Sequence, residues 1–392
     1  MNAVLPGSVT AHPPLRRVLA ALSPARALIV GGAVRNALLG EPVEDIDIAT
    51  DALPERVIAL AGAAGLRTVP TGIAHGTVTV ITDGEGFEVT TFRRDVQTDG
   101  RRAVVAFSDR IEDDAARRDF TMNALYADAD GQVIDPVGGL PDLAARRLRF
   151  VGDPDRRIAE DYLRILRFFR FHARHGRPGA ADPEALAACA RGRAGLAQLS
   201  RERVGAEMRK LLDAPDPAEA LALMDRSGVL EAVLPGADAA RAAALVAAEP
   251  GLCPGPPDIS MQKNGRWPLR LAALGAPDAA QRLRLSRDEA RVQDELRFAG
   301  PLAEAAYRLG ARRAGQIALL RAARGEAPRD DWREQIALAA GQRMPVCAAD
   351  LPALSGAALG RGLRAAEAAW IESGFVMPAP ALIDIAMLAG ET

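Results

Sequence analysis

The chain has 392 residues, 49% of them apolar, and a formal net charge of −2. That length is too great for one simple core, so two to four domains are expected, and the balanced charge excludes a globally basic nucleic-acid binder. Aromatic residues make up only 4% and alanine is abundant, which favours packed helices over a sandwich of sheets.

In chain order, Leu15–Leu22 reads as a short helix. Ala27–Val30 is an apolar strand ending at Gly31-Gly32, and Val34–Leu39 is a helix stopped by Gly40. Asp45–Ala49 alternates as a strand, and Arg56–Gly65 is helical. Thr77–Ile81 and Phe87–Phe92 are β-rich and flank a hairpin signal, Asp83-Gly84-Glu85-Gly86, with another short strand at Val104–Phe107. Residues 1–145 are therefore expected to form an α+β domain with a mixed or antiparallel sheet and flanking helices. After Phe150 strand signals nearly vanish. Helical patterns cover Ile158–His175, Pro183–Ala190, Arg201–Leu212, Pro217–Gly228 and Asp238–Ala248. Gly251–Pro268 reads as a linker or long loop. Helices then resume at Leu269–Leu274, Arg287–Phe298, Leu302–Leu309, Arg313–Ala323, Trp332–Ala340, Ser355–Glu372 and Ala379–Ala389. Two all-α regions are expected, 146–235 and 236–392.

Cys189, Cys253 and Cys347 are far apart, with neither metal-ligand spacing nor a disulfide framework. Met1–Pro14 lacks the apolar core of a signal peptide, and no stretch approaches the ~20 apolar residues that span a membrane. A cytoplasmic location is expected.

The chemistry is concentrated near the start. Residues i and i+2 of a strand share a face, so Asp45 and Asp47 are expected to project together, with Ile46 and Ile48 toward the core. Two such carboxylates can share hard cations such as Mg²⁺. Gly31 and Gly32 let backbone approach a phosphate, the following helix N-terminus offers N–H donors and positive dipole, and Arg35 adds charge. Asp-x-Asp or Gly-Gly alone says little. The ordered set of strand, glycine turn, helix and Asp-x-Asp strand points to a nucleoside triphosphate and its metal ions. All but two of the 49 Lys+Arg residues are arginine, and between Arg146 and His175 nine arginines stand against four acids, a stripe able to track RNA phosphates.

Leu28-Ile29-Val30-Gly31-Gly32-Ala33-Val34-Arg35 followed by Asp45-Ile46-Asp47 resembles the class II bacterial tRNA nucleotidyltransferase and poly(A) polymerase family, within the DNA polymerase beta-like nucleotidyltransferase superfamily. The family motif continues with Asp where this chain has Asn36, which keeps an acceptor and loses a charge. The resemblance implies a nucleotidyltransferase head at 1–145, a helical neck at 146–235 with a base-reading helix and RNA-binding region, and a body and tail at 236–392 that bind tRNA. Glu88, in Phe87-Glu88-Val89-Thr90-Thr91-Phe92-Arg93, corresponds to the strand beside the family's metal site; it is either a third carboxylate or a solvated strand residue. Arg117-Arg118-Asp119-Phe120-Thr121-Met122-Asn123-Ala124 is similar to a second family motif, implying that Arg118 contacts nucleotide and that Asp119 with Asn123 reaches ribose or orders the site.

Glu160-Asp161-Tyr162-Leu163-Arg164 resembles the family's Glu-Asp-x-x-Arg helix. On such a helix Asp161 and Arg164 are neighbours on one face. Cytosine and adenine each present an exocyclic amine beside a ring acceptor, while guanine and uracil present the reverse pattern. One Asp–Arg pair can thus accept C and A and reject G and U. The plain alternative is an amphipathic helix with an intrahelical ion pair. Arg167 and Arg170 match further nucleotide-contacting positions, and Ser200-Arg201-Glu202-Arg203-Val204-Gly205-x-Glu207 is similar to the downstream RNA-binding region.

Thr71-Gly72-Ile73-Ala74-His75-Gly76-Thr77-Val78 resembles the CCA-adding branch, and no Gly-Arg-Arg-Phe-Arg-like stretch of the poly(A) polymerases is present. Asp99-Gly100-Arg101-Arg102 lies where the family has a flexible loop that helps switch from CTP to ATP. The implied activity is addition of C, C and A to tRNA from CTP and ATP, without a template. In it, Mg²⁺-dependent attack of the 3′-hydroxyl on the α-phosphate releases pyrophosphate. Poly(A) polymerase, partial CC or A addition, a silent RNA-binding protein and a small-molecule nucleotidyltransferase are the alternatives. The expected macromolecular partner is tRNA, held by its acceptor and TΨC arm.

Overall fold

A computed structural model describes residues 3–99, 102–252, 265–326 and 328–391. The chain divides into two compact units, Met1–Val233 and Leu234–Thr392. Most of the Gly251–Pro268 connection, Cys253 included, lies outside the described residues, as do Gly100 and Arg101.

The first unit is built on strands β1 (Ala27–Val30), β2 (Asp47–Thr50), β3 (Arg67–Gly72), β4 (Thr77–Thr82), β5 (Glu85–Thr91), β6 (Arg93–Asp99), β7 (Arg102–Phe107), β8 (Tyr126–Ala127) and β9 (Val133–Ile134). Seven of them form one mixed sheet in the order β3-β4-β5-β2-β1-β8-β9. Only β2 and β5 run parallel; the other neighbours are antiparallel. β6 and β7 make a separate two-stranded ribbon. Helices α1 (Gly7–Thr10), α2 (Pro13–Ala21), α3 (Gly32–Leu39), α4 (Pro54–Ala63), α5 (Ile111–Ala116) and α6 (Gly139–Ala145) accompany the strands. Leu28, Val30 and Ala49 on one sheet face pack against Phe92, Ile111, Ala115, Ala124 and Tyr126. That cluster stops short of Asp47, which is exposed at the start of β2.

The unit continues as helices only: α7 (Pro154–Glu160), α8 (Leu163–His175), α9 (Pro183–Gly192), α10 (Arg201–Leu212), α11 (Ala218–Arg226) and α12 (Val229–Val233). Phe168 and Phe169 of α8 are fully buried; Phe150 stacks on Phe168 at 5.8 Å and Phe120 lies 5.0 Å from Phe150. These aromatic rings are core.

The second unit comprises α13 (Ala239–Leu252), α14 (Trp267–Leu274), α15 (Ala279–Arg282), α16 (Arg287–Leu296), α17 (Leu302–Leu309), α18 (Ala311–Ala322), α19 (Trp332–Ala340), α20 (Gly356–Glu372) and α21 (Ala379–Glu391). Ala305, Ala314, Ile317, Trp332 and Ile336 form one core, and Leu351, Ala366, Trp370, Leu382 and Ala386 another. Among the described residues no helix is long and apolar enough to cross a membrane.

Three local expectations are corrected. Asp45 is not on a strand, because β1 ends at Val30 opposite Asp47 and the chain then turns away at Gly31, leaving Asp45 and Ile46 no pairing partner. The helix expected over Ile158–His175 is two helices. Asp161 between them is extended (φ −155, ψ 107), and its Oδ1 accepts the Leu163 N–H at 3.1 Å, which starts a new helix. The segment Arg93–Phe107, of which only Val104–Phe107 is expected to be strand, forms the β6–β7 ribbon, whose tip falls outside the described residues.

Candidate active site

Register places the carboxylates. In the parallel β2–β5 pair, Ile48 lies opposite Val89, so Asp47 falls beside Glu88 on the open side of the sheet. The loop ahead of β2 brings Asp45 to the same place. A cavity of about 740 Å³ is lined by Asp45, Asp47 and Glu88, by Thr79 and Glu85 of the β4–β5 hairpin, and by Ser8 and His12 of the N-terminal segment. His12 Nε2 lies 2.7 Å from Glu85 Oε2. Burial, then Glu88, then Asp45 push the Asp47 carboxyl above the usual range, while Arg118 opposes them. Among the described residues no three His, Cys, Asp or Glu side chains converge as a ready-made cation cage. The donor set itself is all hard oxygen, with like charges that repel, which is the chemistry a hard divalent cation relieves.

The glycine turn adjoins this cavity through register, since Val30 pairs with Asp47 and Gly31 follows. Gly31 has φ 72, a conformation that strains any side chain, and a Cβ there would stand 3.3 Å from Arg118 Nη1, a tight contact that would push on that guanidinium. Gly32 opens α3, whose first N–H groups lack intrahelical acceptors. Arg118 is aimed by Asp114 of α5, which accepts its Nη2 at 2.8 Å and Nε at 3.2 Å and also the Tyr126 hydroxyl at 2.7 Å. Arg117 adds a second ion pair to Asp114 at 2.8 Å. Burial works to raise the Asp114 carboxyl, but Arg118 and Arg117 outweigh it and hold it below the usual range.

Asp114 is a positioning residue with a large expected stability effect. Asp114→Asn is expected to cost roughly 3 kcal/mol at pH 7, as for a broken buried ion pair. A depressed folded-state pKa means that this stabilisation is present above the unfolded value of 3.8 and lost as pH falls through the folded one. Urea titrations of both proteins should therefore show a full gap at pH 7 and a smaller one at pH 3, shrinking further as pH falls. An equal gap at both values would contradict the assignment.

Behind the turn lies a second network. Arg35 is nearly buried and donates to Asn36 Oδ1 at 3.0 and 2.8 Å and to Asn123 Oδ1; burial draws its pKa down to about 10. Asn36 also donates to the Pro42 carbonyl at 2.9 Å, so the hydrogen bonding expected at this position is kept without a charge. Asp119 accepts from Asn123 Nδ2 at 3.1 Å, Phe120 N at 2.9 Å and Arg167 Nε at 2.8 Å. Burial would raise the Asp119 carboxyl, but Arg167 and these hydrogen bonds hold it low. Arg170 pairs with Glu207 at 2.6 Å. Three guanidinium groups, those of Arg35, Arg167 and Arg170, lie 5.2, 5.4 and 4.1 Å from the Phe171 ring centre.

Asp161 and Arg164 are not paired with each other. Arg203 Nη2 donates to Asp161 Oδ2 at 2.7 Å, while Arg164 Nη1 donates to Glu160 Oε2 and the Arg157 carbonyl, both at 2.6 Å. The helix break at Asp161 is the cause, because it removes the i, i+3 geometry of a continuous helix. Sequence reasoning missed Asp114, Tyr126, Arg157 and the pairing roles of Glu160, Arg203 and Glu207. Asp114 carries one usable signal, its position four residues before Arg118.

Comparison with known proteins decides the family. The family model for the poly A polymerase head domain matches residues 27–149, and that for the "Probable RNA and SrmB- binding site of polymerase A" matches 181–241. The CCA-adding enzyme of Geobacillus stearothermophilus is 38% identical over 329 residues, 79% of this chain and 77% of that one. The chain belongs to the CCA-adding enzyme family. Mitochondrial CCA tRNA nucleotidyltransferase 1 of zebrafish is 47% identical over 186 residues, but the match spans 47% of this chain and only 43% of that relative. Among solved structures, a Bacillus stearothermophilus CCA-adding enzyme in complex with CTP superposes with TM-score 0.66 at 31% identity, covering 96% of this chain and 91% of the other. A Thermotoga maritima CCA-adding enzyme complexed with tRNA gives TM-score 0.68 at 17% identity over 99% of each chain, a likeness of fold. The matches place the glycine turn, Asp45, Asp47, Glu88 and Arg118 within the head domain of this family.

Proposed function

We propose that this protein is a cytoplasmic CCA tRNA nucleotidyltransferase that adds C, C and A to the 3′ end of tRNA from CTP and ATP. The observation that carries the reading is the register of β1, β2 and β5, which puts Asp47 beside Glu88 and one step from the glycine turn. A head at 1–145, a neck at 146–235 and a body and tail at 236–392 divide the work in this proposal.

Asp45 and Asp47 would hold Mg²⁺, which supplies charge neutralisation for an in-line displacement at phosphorus. The N–H groups at the start of α3, with Gly31, Gly32 and Arg118, hold the triphosphate. The Arg35, Asn123, Asp119 and Arg167 network fixes the wall against which ribose lies, and Arg170 extends it. The tRNA 3′-hydroxyl attacks the α-phosphorus: the new O–P bond forms, the bond to pyrophosphate breaks, and the hydroxyl proton passes to solvent or a carboxylate. Glu88 neighbours Asp47 in the same cavity and is the third carboxylate available there.

Base choice is assigned to Asp161 and Arg164. Each now makes a charge-assisted bond with protein, Asp161 with Arg203 and Arg164 with Glu160. Those bonds hold both side chains against α7, α8 and α10 until a base with complementary donors and acceptors competes for them.

The metal assignment is tested by chelation. EDTA is expected to abolish CMP incorporation into tRNA, and excess Mg²⁺ to restore it. Full incorporation after exhaustive chelation would remove Asp45 and Asp47 from this role.

A further inference from the structure

Asp161 and Arg164 are kept apart by a break in the chain, and that break rests on glycine. Asp161 is extended between α7 and α8, and Tyr162 opens α8, its carbonyl accepting the Ile165 N–H at 3.1 Å. The chain around the break packs on Gly192, the last residue of α9, and on Gly195 of the 3₁₀ turn Arg193–Gln198 that follows. A Cβ at Gly195 would overlap the Tyr162 ring along its Cγ, Cδ1 and Cε1 edge. A Cβ at Gly192 would stand 2.6 Å from Ile158 Cγ2 and 3.4 Å from Ile165 Cδ1. Ile158 belongs to α7 and Ile165 to α8, so this seat holds the chain on both sides of Asp161 as well as at Tyr162.

Backbone conformation does not call for glycine at either position. Neither has a positive φ, and Gly192 is right-handed at φ −79, ψ −6. Glycine in such a conformation is disfavoured relative to alanine, so what the two positions supply is the missing Cβ. The Tyr162 ring lies directly on the backbone of Gly195, which is itself buried. Further along, the same stretch of chain supplies Arg203, whose Nη2 meets Asp161 Oδ2 at 2.7 Å. Two successive residues are thus gripped from one side, Asp161 by charge and Tyr162 by shape.

The grip matters because the alternative conformation satisfies itself. In a continuous helix Asp161 and Arg164 would stand at i, i+3 and pair with each other, leaving neither free for a base. We propose that Tyr162, seated on Gly195, is a positioning residue for base choice: its ring holds the break between α7 and α8 and so keeps Asp161 and Arg164 from pairing. The proposal rests on the reading that those two residues select the base.

The test measures the ratio of kcat/KM for CTP to that for UTP at the first addition to tRNA ending at the discriminator base, with full-length protein. Tyr162 is half-buried, so Tyr162→Ala removes the ring without a clash. It is expected to lower the ratio by about tenfold or more, since small displacements at a reacting site are costly, while Tyr162→Phe keeps the parent ratio. Gly195→Ala should displace the ring and lower the ratio similarly. The double variant should be no worse than Tyr162→Ala, because both changes break one contact. If Gly195→Ala does not fold, the two Tyr162 variants decide alone. A lower melting temperature and slower turnover with every NTP, at an unchanged ratio, would make Tyr162 merely structural and overturn the proposal. An equal rise in KM for all four NTPs would make the ring a stacking platform and overturn it too, as would additive losses in the double variant. If Asp161→Ala itself kept the parent ratio, the base-reading assignment would fall first and this one with it. A loss in Asp161→Ala with none in Tyr162→Ala would overturn this proposal alone.

Discussion

Asp47→Asn is expected to reduce kcat for CMP transfer to tRNA by about 10³-fold or more, because several kcal/mol of transition-state charge stabilisation depend on a carboxylate at that position. The fold should not suffer. Asp47 is solvent-accessible at the first residue of β2, while partial desolvation of its carboxyl inside the cavity, then repulsion from Glu88 and Asp45, holds it above the usual carboxylate range. Removing its charge relieves that repulsion, so the melting temperature of the metal-free variant should equal or exceed that of the parent. The two readouts together separate this account from a structural one. A structural Asp would lose stability along with activity, and a spectator would lose neither. Glu88→Gln is the informative companion, since its neighbour relation to Asp47 follows from strand register alone.

Asp161→Ala is expected to act on selectivity. A site that hydrogen-bonds a particular donor and acceptor pattern discriminates strongly, because the wrong ligand leaves polar groups unpaired. Losing the carboxylate should lower the preference for CTP and ATP over UTP and GTP by about 100-fold or more, with a smaller change in triphosphate affinity. The Arg203 contact makes a second effect measurable. Arg203→Ala frees Asp161 from its 2.7 Å partner and leaves α10 otherwise in place. It should raise turnover with mismatched NTPs much less than Asp161→Ala does. Equal selectivity among the four NTPs in the parent and Asp161→Ala would remove Asp161 as base reader.

These two residues also show how far the sequence could be read. β1 was legible to the residue at Ala27–Val30 because an unbroken apolar run ends at Gly31-Gly32, and α10 at Arg201–Leu212 because apolar periodicity follows the Ser200 cap. The glycine turn and the Asp-x-Asp segment were legible as chemistry, since few other arrangements need those residues in that order. Asp45 was misplaced onto a strand because alternation was read without knowing that β1 ends at Val30. The Asp161 break was hidden by an uninterrupted helical pattern; an Asp that accepts the N–H two residues on ends one helix and starts the next without any glycine or proline. β3 went unseen because it is a largely exposed edge strand containing Pro70, with a register shift after Val69. A buried partner such as Glu207 belongs to tertiary structure, because it acquires its role from Arg170 of another helix, whereas Asp114 meets Arg117 and Arg118 locally.

The measurement that tests the account most directly uses purified protein, Mg²⁺ and tRNA ending at the discriminator base. It is supplied with CTP, with ATP, with both, or with GTP and UTP, and product lengths are read on a gel. The account predicts two added residues with CTP alone, three and no more with CTP and ATP together, and none with GTP and UTP. Long adenylate tails on unrelated RNAs, termination at two residues with both substrates present, or no extension under any condition would contradict it.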